Sequence, residues 1–376
     1  MKILQIIPAL EDGGAERFVV DLCNELSNAH EVTLCLFFKN KKETGFQKEL
    51  LPDIKLISLD KKPGFDISII FKLKKVLNNY KPDIVHTHVG ALIYLLATIS
   101  ITFKKYKIVH TIHNDAWKEV RSKKERQIRY WFYRKKKIIP VTISKESDRT
   151  FKQAYPDVAS TIIYNGTRKP ATSLQFDSVK KFIENARKND NTKIFVHIGR
   201  LEYQKNHVLL IAAFQKLLKS GANALLIMIG GERNQAESHQ ISQAIQEACN
   251  TNQNMIWLGG NQPAIDYLLL ADFFCLSSLF EGMPISLIEA FATGCIPVCT
   301  PVGGIPEMMN GKKFIAKNLS IDAYYNALKE AYVYPTEKLS SLKNEFIALF
   351  NEKHTMNFCG YEYEKLYKQL LAKNGM

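Results

Sequence analysis

Short apolar runs alternate along the chain with segments whose apolar residues recur at helical spacing. Apolar runs of roughly four to eight residues are typical of buried strands, and a 3.6-residue period is typical of amphipathic helices. The pattern predicts strands at 3–7, 32–38, 84–85, 108–111, 138–143, 194–198, 224–229, 255–258, 273–276 and 296–299. It predicts helices at 15–29, 68–79, 207–219, 238–249 and 285–292. Strands that alternate with helices indicate parallel sheets with right-handed crossovers.

The alternation is interrupted near residues 165–191. Asn165-Gly166 opens a turn signal that ends at Pro170, a polar helix follows, and a new strand begins at Ile194. We therefore expect an α/β protein with two doubly wound domains that face a central cleft. The N-terminal domain would cover 1–168, the linker 169–189 and the C-terminal domain 190–357. Ligands of such sheets bind beyond the carboxyl ends of the strands, so the loops after strands are candidates for function.

Composition narrows the class of protein. The 376 residues carry a net charge of +14, and almost all of the excess lies in the first 170 residues. Such a surface attracts phosphorylated small molecules, anionic lipid or nucleic acid, although a solvated lysine-rich surface is the plain alternative. Seven cysteines without a Cys-x-x-Cys pair fit a reducing cytosol. The longest apolar stretch, 89–103, falls short of the roughly 20 residues of a membrane span. We expect a cytoplasmic protein, free or peripheral on the cytoplasmic face of the inner membrane.

Two loops after predicted strands carry groups that suit a phosphate. Gly13 and Gly14 follow the first strand and open a helix, where the backbone can approach an anion, although a plain glycine-rich turn is the alternative. The loop at 199–206 contains Arg200 and Lys205. Two cations there can neutralise a diphosphate leaving group, and a solvated loop is the alternative.

A pair of glutamates flanks the predicted start of another helix. Glu281 precedes Gly282 and Pro284, and proline suits the first turn of a helix. Glu289 lies about one turn into that helix, so two carboxylates flank amide groups that can receive phosphate. Carboxylates also accept hydrogen bonds from sugar hydroxyls. A capped surface helix with incidental acids is the alternative.

The order and spacing of these segments resemble the signature of retaining glycosyltransferase family 4. The resemblance covers most of the chain and rests on the following segments: Gly13-Gly14, Asn165-Gly166, Gly199-Arg200-Leu201 with Lys205, Trp257-Leu258-Gly259, Glu281 and Glu289 with seven residues between them, 290–298, and 303–307. It implies the GT-B fold, two Rossmann-like domains around an active-site cleft. It also implies a last helix, at about 358–376, that crosses back onto the first domain.

The resemblance implies a role for each matching residue. Arg200 and Lys205 would hold the diphosphate, Glu289 the ribose and Glu281 the donor sugar, and His113 would lie near the donor sugar and the acceptor. The candidate catalytic residues are Glu281, His113, Arg200 and Lys205. The candidate donor-binding residues are Gly14, Arg200, Lys205, Leu258, Gly282, Met283, Ser286, Leu287 and Glu289.

The sequence contains no Asp-x-Asp pair, which in the other major glycosyltransferase fold carries the metal. We therefore expect no metal and no cofactor, with cationic side chains in the metal's place. A zinc site among the histidines that end or follow two adjacent predicted strands is the weaker interpretation of His86, His88, His110 and His113. The segment 309–314 is shorter and more basic than the family's glycine-rich stretch, so the resemblance does not predict the structure of that loop.

The segment 118–137 combines many basic residues with Val120, Ile128, Trp131 and Phe132. Such a segment can lie on an anionic membrane surface, or it can pack its aromatic residues into the first domain. The basic N-terminal half and the lipid-linked acceptors of many family members favour the membrane.

We therefore expect a retaining hexosyltransferase that moves a sugar from a nucleotide diphosphate to a hydroxyl of a glycan or lipid-linked acceptor. A UDP-sugar such as UDP-GlcNAc, UDP-GalNAc or UDP-Gal is the favoured donor, in cell-surface polysaccharide or lipopolysaccharide biosynthesis. A GDP-mannose-using mannosyltransferase, a nucleotide-sugar epimerase or phosphorylase of the same fold, and a silent subunit are alternatives. A basic nucleic-acid-binding protein is another, but no motif of that class is recognisable, so we expect no nucleic-acid partner.

Overall fold

The computed structural model describes residues 1–11, 13–38, 45–102, 106–120, 122–233 and 235–372. The chain divides into two compact units, the first made of Met1–Arg168 and Thr355–Met376 and the second of Lys169–His354. Each unit is built on one parallel sheet with helices between its strands. The α/β class expected from the sequence is confirmed.

The described residues form the following strands: β1 Lys2–Ile7, β2 Glu31–Leu36, β3 Lys55–Ser58, β4 Ile84–His88, β5 Lys107–Ile112, β6 Ile139–Thr142, β7 Thr161–Ile162, β8 Lys193–Ile198, β9 Ala224–Ile229, β10 Met255–Trp257, β11 Phe273–Leu276 and β12 Ile296–Cys299. They form the following α-helices: α1 Gly14–Ser27, α2 Gly45–Lys48, α3 Ser68–Tyr80, α4 Leu92–Ser100, α5 Lys123–Arg134, α6 Lys145–Ala154, α7 Phe176–Ala186, α8 His207–Lys219, α9 Ala236–Thr251, α10 Ala264–Leu270, α11 Ile285–Thr293, α12 Ile305–Met309, α13 Ile321–Tyr332, α14 Thr336–Lys353 and α15 Met356–Ala372.

The strand order of each sheet reverses once near its middle. The first sheet has the order β3-β2-β1-β4-β5-β6-β7, and the second has the order β10-β9-β8-β11-β12. The reversal lies between β1 and β4 in the first sheet and between β8 and β11 in the second. In open parallel sheets a ligand binds in the crevice beside such a reversal, outside the carboxyl ends of the strands. Each unit therefore has one favoured place for a site.

The strands are buried on both faces, which explains their apolar runs. Every residue of β4 and of β9 is buried, as expected where helices cover both faces of a parallel sheet. β4 continues to His88, although the sequence predicts its end at Val85. The reason is that the polar side chains of His86 and His88 are completely buried and hydrogen-bonded.

Other strand ends differ from the prediction by one or two residues. β2 ends at Leu36 because the amides of Phe37 and Phe38 donate to the carbonyl of Pro8 instead of continuing the ladder. The sequence pattern missed β3 and β7. β3 has two exposed and two half-buried residues, and β7 is only two residues long, so neither shows a buried apolar run.

Residues 169–189, expected to be a linker, belong to the second unit. The helix α7 buries Val179 and Ile183, and its Phe182 ring lies 6.3 Å from the ring of Tyr267. The backbone amide of Ser173 also donates to the carboxylate of Asp266 at 2.9 Å. These contacts give the segment a packed structure, so the second unit begins at residue 169 rather than 190.

The C-terminal helix α15 is part of the first unit and packs on α1. The two helices approach closely at Gly360, where an added Cβ would lie 2.6 Å from a side-chain carbon of Glu25. The ring of Tyr363 lies 6.0 Å from that of Phe18. The helix begins at Met356, two residues before the expected start, and residues 373–376 of the expected range lie outside the described residues.

Candidate functional site

Two adjacent loops of the second unit bring together most of the residues nominated for catalysis. The loop at 199–206 follows β8, and the loop at 277–284 follows β11, on the two sides of the reversal in strand order. Two hydrogen bonds join the loops. The amide of Leu279 donates to the carbonyl of Gln204 at 2.8 Å, and the hydroxyl of Ser277 donates to the carbonyl of Lys205 at 2.9 Å. The loops therefore form one structural element.

The carboxylate of Glu281 is held between three donors. Its Oε1 lies 2.6 Å from Lys205 Nζ and accepts a hydrogen bond from Ser278 Oγ at 2.7 Å. Its Oε2 accepts from Gln204 Nε2 at 3.2 Å. Because both oxygens are engaged and the residue is buried, Glu281 fixes the position of the Lys205 ammonium and is poorly placed to act as a free nucleophile.

Two arginines of the second unit share one carboxylate. Arg200 Nη2 lies 3.2 Å from Glu202 Oε2, and Arg233 Nη1 lies 3.1 Å from Glu202 Oε1. About 30% of the Arg200 side chain and 28% of the Arg233 side chain are exposed, so both guanidinium groups can reach a dissolved anion. Arg233 was not predicted from the sequence. The available signal was Gly230-Gly231-Glu232-Arg233 directly after β9, a glycine-rich loop with a cation like the one after β8.

Two glycines are required where neighbouring loops touch the Glu281 loop and the Arg200 loop. A Cβ added to Gly303, whose φ is +56°, would lie 1.7 Å from the carbonyl oxygen of Glu281. A Cβ added to Gly230 would lie 1.9 Å from the carbonyl oxygen of Gly199. Side chains at these positions would push the backbone of the Glu281 loop and of the Arg200 loop out of place.

The helix α11 begins directly after the Glu281 loop and carries the other nominated residues of this region. Pro284 precedes it and supplies no side-chain cap. Gly282 and Met283 are buried in the loop, and Ser286 and Glu289 are half-buried on the helix. The amide of Leu287, nominated as a donor contact, is used inside the structure, because it donates to the carbonyl of Pro284 at 3.1 Å.

Leu258 directly follows β10 and lies beside the glycines that follow β9. Its amide donates to the carbonyl of Met228 at 3.0 Å, and the indole of Trp257 donates to the carbonyl of Gly230 at 3.0 Å. The amide of Gly230 donates in turn to the carbonyl of Gly259. The segment 257–259, expected to contact the nucleotide base, is therefore hydrogen-bonded to the loop that carries Arg233.

In the first unit, Gly14 lies after β1 at the reversal of the first sheet, and His113 lies after β5, one strand beyond it. Gly14 begins α1, and Gly13 caps this helix without a side-chain hydrogen bond. His113 follows β5, and its ring packs edge-on against Phe18 of α1, with 5.4 Å between the ring centroids. Its Nε2 lies 3.0 Å from Nδ1 of His88, the last residue of β4. The half-buried ring has a pKa lowered by burial to about 3, so it is neutral at neutral pH.

Glu119, whose side chain is only 8% exposed, holds the loop that carries His113, and it was not predicted from the sequence. The backbone N–H of His113 donates to Glu119 Oε1 at 2.6 Å, and Glu119 Oε2 lies 3.8 Å from Arg129 Nη1. Burial raises the pKa of the Glu119 carboxyl to about 7, against the lowering effect of the Arg129 guanidinium. No simple sequence pattern connects Glu119 to a backbone amide six positions earlier.

All four histidines considered for zinc are hydrogen-bonded to other side chains of the first unit. His86 bonds Thr111 and Tyr367, His88 bonds Gln5 and His113, and His110 bonds Tyr133. Within the described ranges, no group of three or more metal-ligating side chains converges. Hydrogen bonds to other side chains therefore explain how His86, His88 and His110 can be buried.

The basic segment 118–137 divides its aromatic residues between the core and the surface. Phe132 is buried, whereas Ile128 is 45% exposed and Trp131 is 48% exposed. The ammonium of Lys137 lies 4.5 Å from the ring centroid of Trp131. Arg121 of this segment lies outside the described residues. Among the described helices, none is long and apolar enough to cross a bilayer.

Comparison with protein families gives two adjacent matches. Residues 12–168 match the model described as Glycosyltransferase Family 4, and residues 178–345 match the model described as Glycosyl transferases group 1.

Curated proteins and solved structures give similar results. The chain is 25% identical over 281 residues to the UDP-Gal:alpha-D-GlcNAc-diphosphoundecaprenol alpha-1,3-galactosyltransferase of Escherichia coli, a match that covers 70% of each chain. It is 25% identical over 311 residues to the capsular polysaccharide biosynthesis glycosyltransferase CapH of Staphylococcus aureus, covering 80% of this chain and 82% of CapH. The crystal structure of Anabaena Alr3699/HepE in complex with UDP and glucose superposes with a TM-score of 0.80 and 17% identity, over 98% of this chain and 100% of that one.

Proposed function

Because the chain belongs to the family 4-like glycosyltransferases of the GT-B fold, we propose that it transfers a hexose from a UDP-sugar to a hydroxyl of a lipid-linked glycan, with retention of configuration. The observation that supports this proposal best is the cluster of cations in the second unit. Lys205 is held by Glu281, and the partly exposed Arg200 lies in the same loop. A diphosphate that departs from a sugar needs this kind of charge neutralisation.

The donor-binding roles nominated from the sequence remain part of the proposal. Arg200 and Lys205 bind the diphosphate, and the amides near Gly14 and Ser286 contact phosphate or sugar. Glu289 binds the ribose. Arg233 joins this set because it shares the carboxylate of Glu202 with Arg200, and a diphosphate can replace that carboxylate as the partner of both guanidinium groups.

The engaged state of Glu281 supports transfer by attack on the face from which the diphosphate departs. In this mechanism the acceptor oxygen forms its bond to the anomeric carbon as the bond to the diphosphate oxygen breaks. The proton of the acceptor hydroxyl passes to an oxygen of the departing diphosphate, so no protein nucleophile is needed. Arg200, Lys205 and Arg233 stabilise the charge that develops on the diphosphate, and His113 contacts the sugar.

The acceptor is proposed from the names of the relatives. The Escherichia coli relative transfers galactose to a sugar on diphosphoundecaprenol, and the Staphylococcus aureus relative acts in capsular polysaccharide biosynthesis. We extend this acceptor class to the present chain and place its reaction in cell-surface polysaccharide or lipopolysaccharide biosynthesis, at the cytoplasmic face of the inner membrane.

A panel of nucleotide sugars tests the proposed reaction. We expect slow release of UDP from one UDP-sugar in the absence of acceptor, and faster release when a lipid-linked glycan is added. The rate should persist in EDTA, because we propose that side-chain cations replace a metal. Release of GDP from GDP-mannose alone would assign the mannosyltransferase alternative. Conversion of a UDP-sugar to its epimer without transfer would assign the epimerase.

The exposed apolar residues of α5 provide a contact with an anionic membrane. Ile128 and Trp131 are exposed, Lys137 lies against the ring of Trp131, and the segment is rich in basic residues. This combination favours the interface of an anionic bilayer. We expect the protein to sediment with phosphatidylglycerol vesicles, and Trp131→Glu to lower the bound fraction at least about threefold.

The matched control is Phe71→Glu, which also replaces an exposed aromatic residue of the first unit, on α3. It should leave vesicle binding unchanged. Equal binding of wild type and Trp131→Glu, or equal binding to phosphatidylcholine vesicles, would remove α5 as the contact.

A further inference from the structure

A row of hydrogen-bonded side chains runs through the interior of the first unit and ends at His113. Its members, in order, are Tyr363, Thr111, His86, Tyr367, Gln5, His88 and His113. All of them except His113 are completely buried. The two tyrosines belong to α15. The C-terminal helix is therefore hydrogen-bonded, through residues of three strands, to the histidine that the proposed function places at the sugar.

The side chains nearest His113 each bond their two neighbours in the row. His88 Nδ1 lies 3.0 Å from His113 Nε2, and His88 Nε2 lies 2.8 Å from Gln5 Oε1. The other end of the carboxamide, Gln5 Nε2, donates to the hydroxyl of Tyr367 at 3.5 Å. That hydroxyl lies 2.7 Å from His86 Nδ1. Each interior group thus bonds one neighbour on each side.

These bonds give the row a direction. Burial holds the pKa of His86 and of His88 well below its usual value, so each ring is neutral and carries one N–H. Gln5 Oε1 can only accept, so His88 Nε2 carries the ring proton and donates it. His88 Nδ1 is then an acceptor, and His113 Nε2 carries the proton between the two rings. Nδ1 of His113 is left without a proton.

The hydroxyl of Tyr367 fixes the direction through the carboxamide. It accepts from Gln5 Nε2, so its own proton is available to His86 Nδ1, and in this arrangement Gln5 Oε1 faces His88. The assignment follows from the hydrogen-bond network, since hydrogens themselves are placed by the groups around them. Tyr363 lies at the far end of the row, where it bonds Thr111, and it is not needed for the orientation of Gln5.

We propose that Gln5, His88 and Tyr367 are positioning residues that keep the proton of His113 on Nε2, so that Nδ1 accepts a hydrogen bond from a hydroxyl of the bound sugar. The inference rests on the proposed function, in which His113 meets the donor sugar or the acceptor. Within the described part of the chain, His113 makes its side-chain hydrogen bond through Nε2, and no protein group bonds Nδ1.

The row matters because an unconstrained neutral imidazole shares its proton between both nitrogens. Only the form protonated on Nε2 can accept a hydrogen bond from a hydroxyl at Nδ1. If only a fraction of the molecules has the competent form, the apparent affinity for the ligand falls by that fraction. The α15 tyrosine thereby contributes to ligand binding without touching the ligand.

Nitrogen NMR of the full chain labelled with ¹⁵N-histidine tests the assignment without any donor. The chain has nine histidines, so the His113 signals are assigned by their loss in His113→Asn. We expect a protonated-type shift at Nε2 of His113 and an unprotonated-type shift at Nδ1. The opposite pattern would overturn the proposal. The expected shifts without any sugar transfer would count against the proposed function and leave the tautomer assignment standing.

A pair of Tyr→Phe variants on the same helix tests the cause. Tyr367→Phe removes the hydroxyl that orients Gln5, so both His113 shifts should move towards intermediate values. The value of kcat/KM for the donor should fall about two- to fivefold. Tyr363→Phe removes an equally buried hydroxyl at the far end, and should leave the His113 shifts unchanged. Identical His113 shifts in the two variants, with similar thermal midpoints, would reduce Tyr367 to a packing residue and overturn the proposal.

Discussion

We expect the replacement of Lys205 with methionine to lower kcat/KM for the donor by about 100- to 1000-fold, the effect typical of losing one charged group that stabilises a transition state. The substitution removes the ammonium that lies 2.6 Å from Glu281 Oε1 and keeps most of the aliphatic length. Glu281 loses its cationic partner, and the departing diphosphate loses one of its three proposed cations. Initial rates of nucleotide release at several donor concentrations measure the change.

Lys216→Met is the matched control, since Lys216 belongs to the same unit and pairs with Asp322 at the surface. It should keep the activity within about twofold of wild type, because exposed ion pairs contribute little. Activity in Lys205→Met within tenfold of wild type, or an equal loss in both variants, would contradict the assignment of Lys205.

Gly303→Ala produces the largest expected loss of stability, more than about 3 kcal/mol in the free energy of unfolding. The new methyl group would lie 1.7 Å from the carbonyl oxygen of Glu281, and the φ of +56° is strained for any L side chain. The backbone must move, and the carboxylate of Glu281 moves with it. Denaturant unfolding measures the stability, and any variant that still folds should release nucleotide far more slowly.

Gly311→Ala separates the clash from the backbone strain. Gly311 has a φ of +74°, but no atom lies within 4 Å of its added Cβ. The substitution should therefore cost only about 1–2 kcal/mol and leave activity near the wild-type level. Similar losses of stability in both variants would show that the contact between Gly303 and Glu281 is not a tight one.

The sequence pattern predicts the elements whose buried residues are apolar and fails where buried residues are polar. The predicted end of β4 at Val85 is wrong, because His86 is buried by a partner, Tyr367, that lies 281 positions away. A pattern confined to a short window contains no information about such a partner. The predicted linker at 169–189 is wrong for a similar reason, since its contacts with α10 are formed only after folding.

The residues of the candidate site also divide into those that a local sequence pattern can predict and those that depend on distant neighbours. Arg200, Lys205 and Glu281 could be nominated because each lies in a loop after an apolar strand. Arg233 and Glu119 were missed because their importance depends on a neighbour in space, Glu202 for one and the His113 amide for the other. The hydrogen bonds that Glu281 accepts could not be predicted either, because its donors come from both the loop after β8 and the loop after β11.

The central claim, that the loops of the second unit bind a nucleoside diphosphate, is tested most directly by calorimetric titration with UDP and with uridine. Charge-assisted contacts of about 1.5 kcal/mol each from Arg200 and Lys205 alone predict that UDP binds at least about 100-fold more tightly than uridine. In Arg200→Ala the ratio should fall about tenfold, with the affinity for uridine unchanged. Equal affinity of the wild-type protein for UDP and uridine would contradict the account.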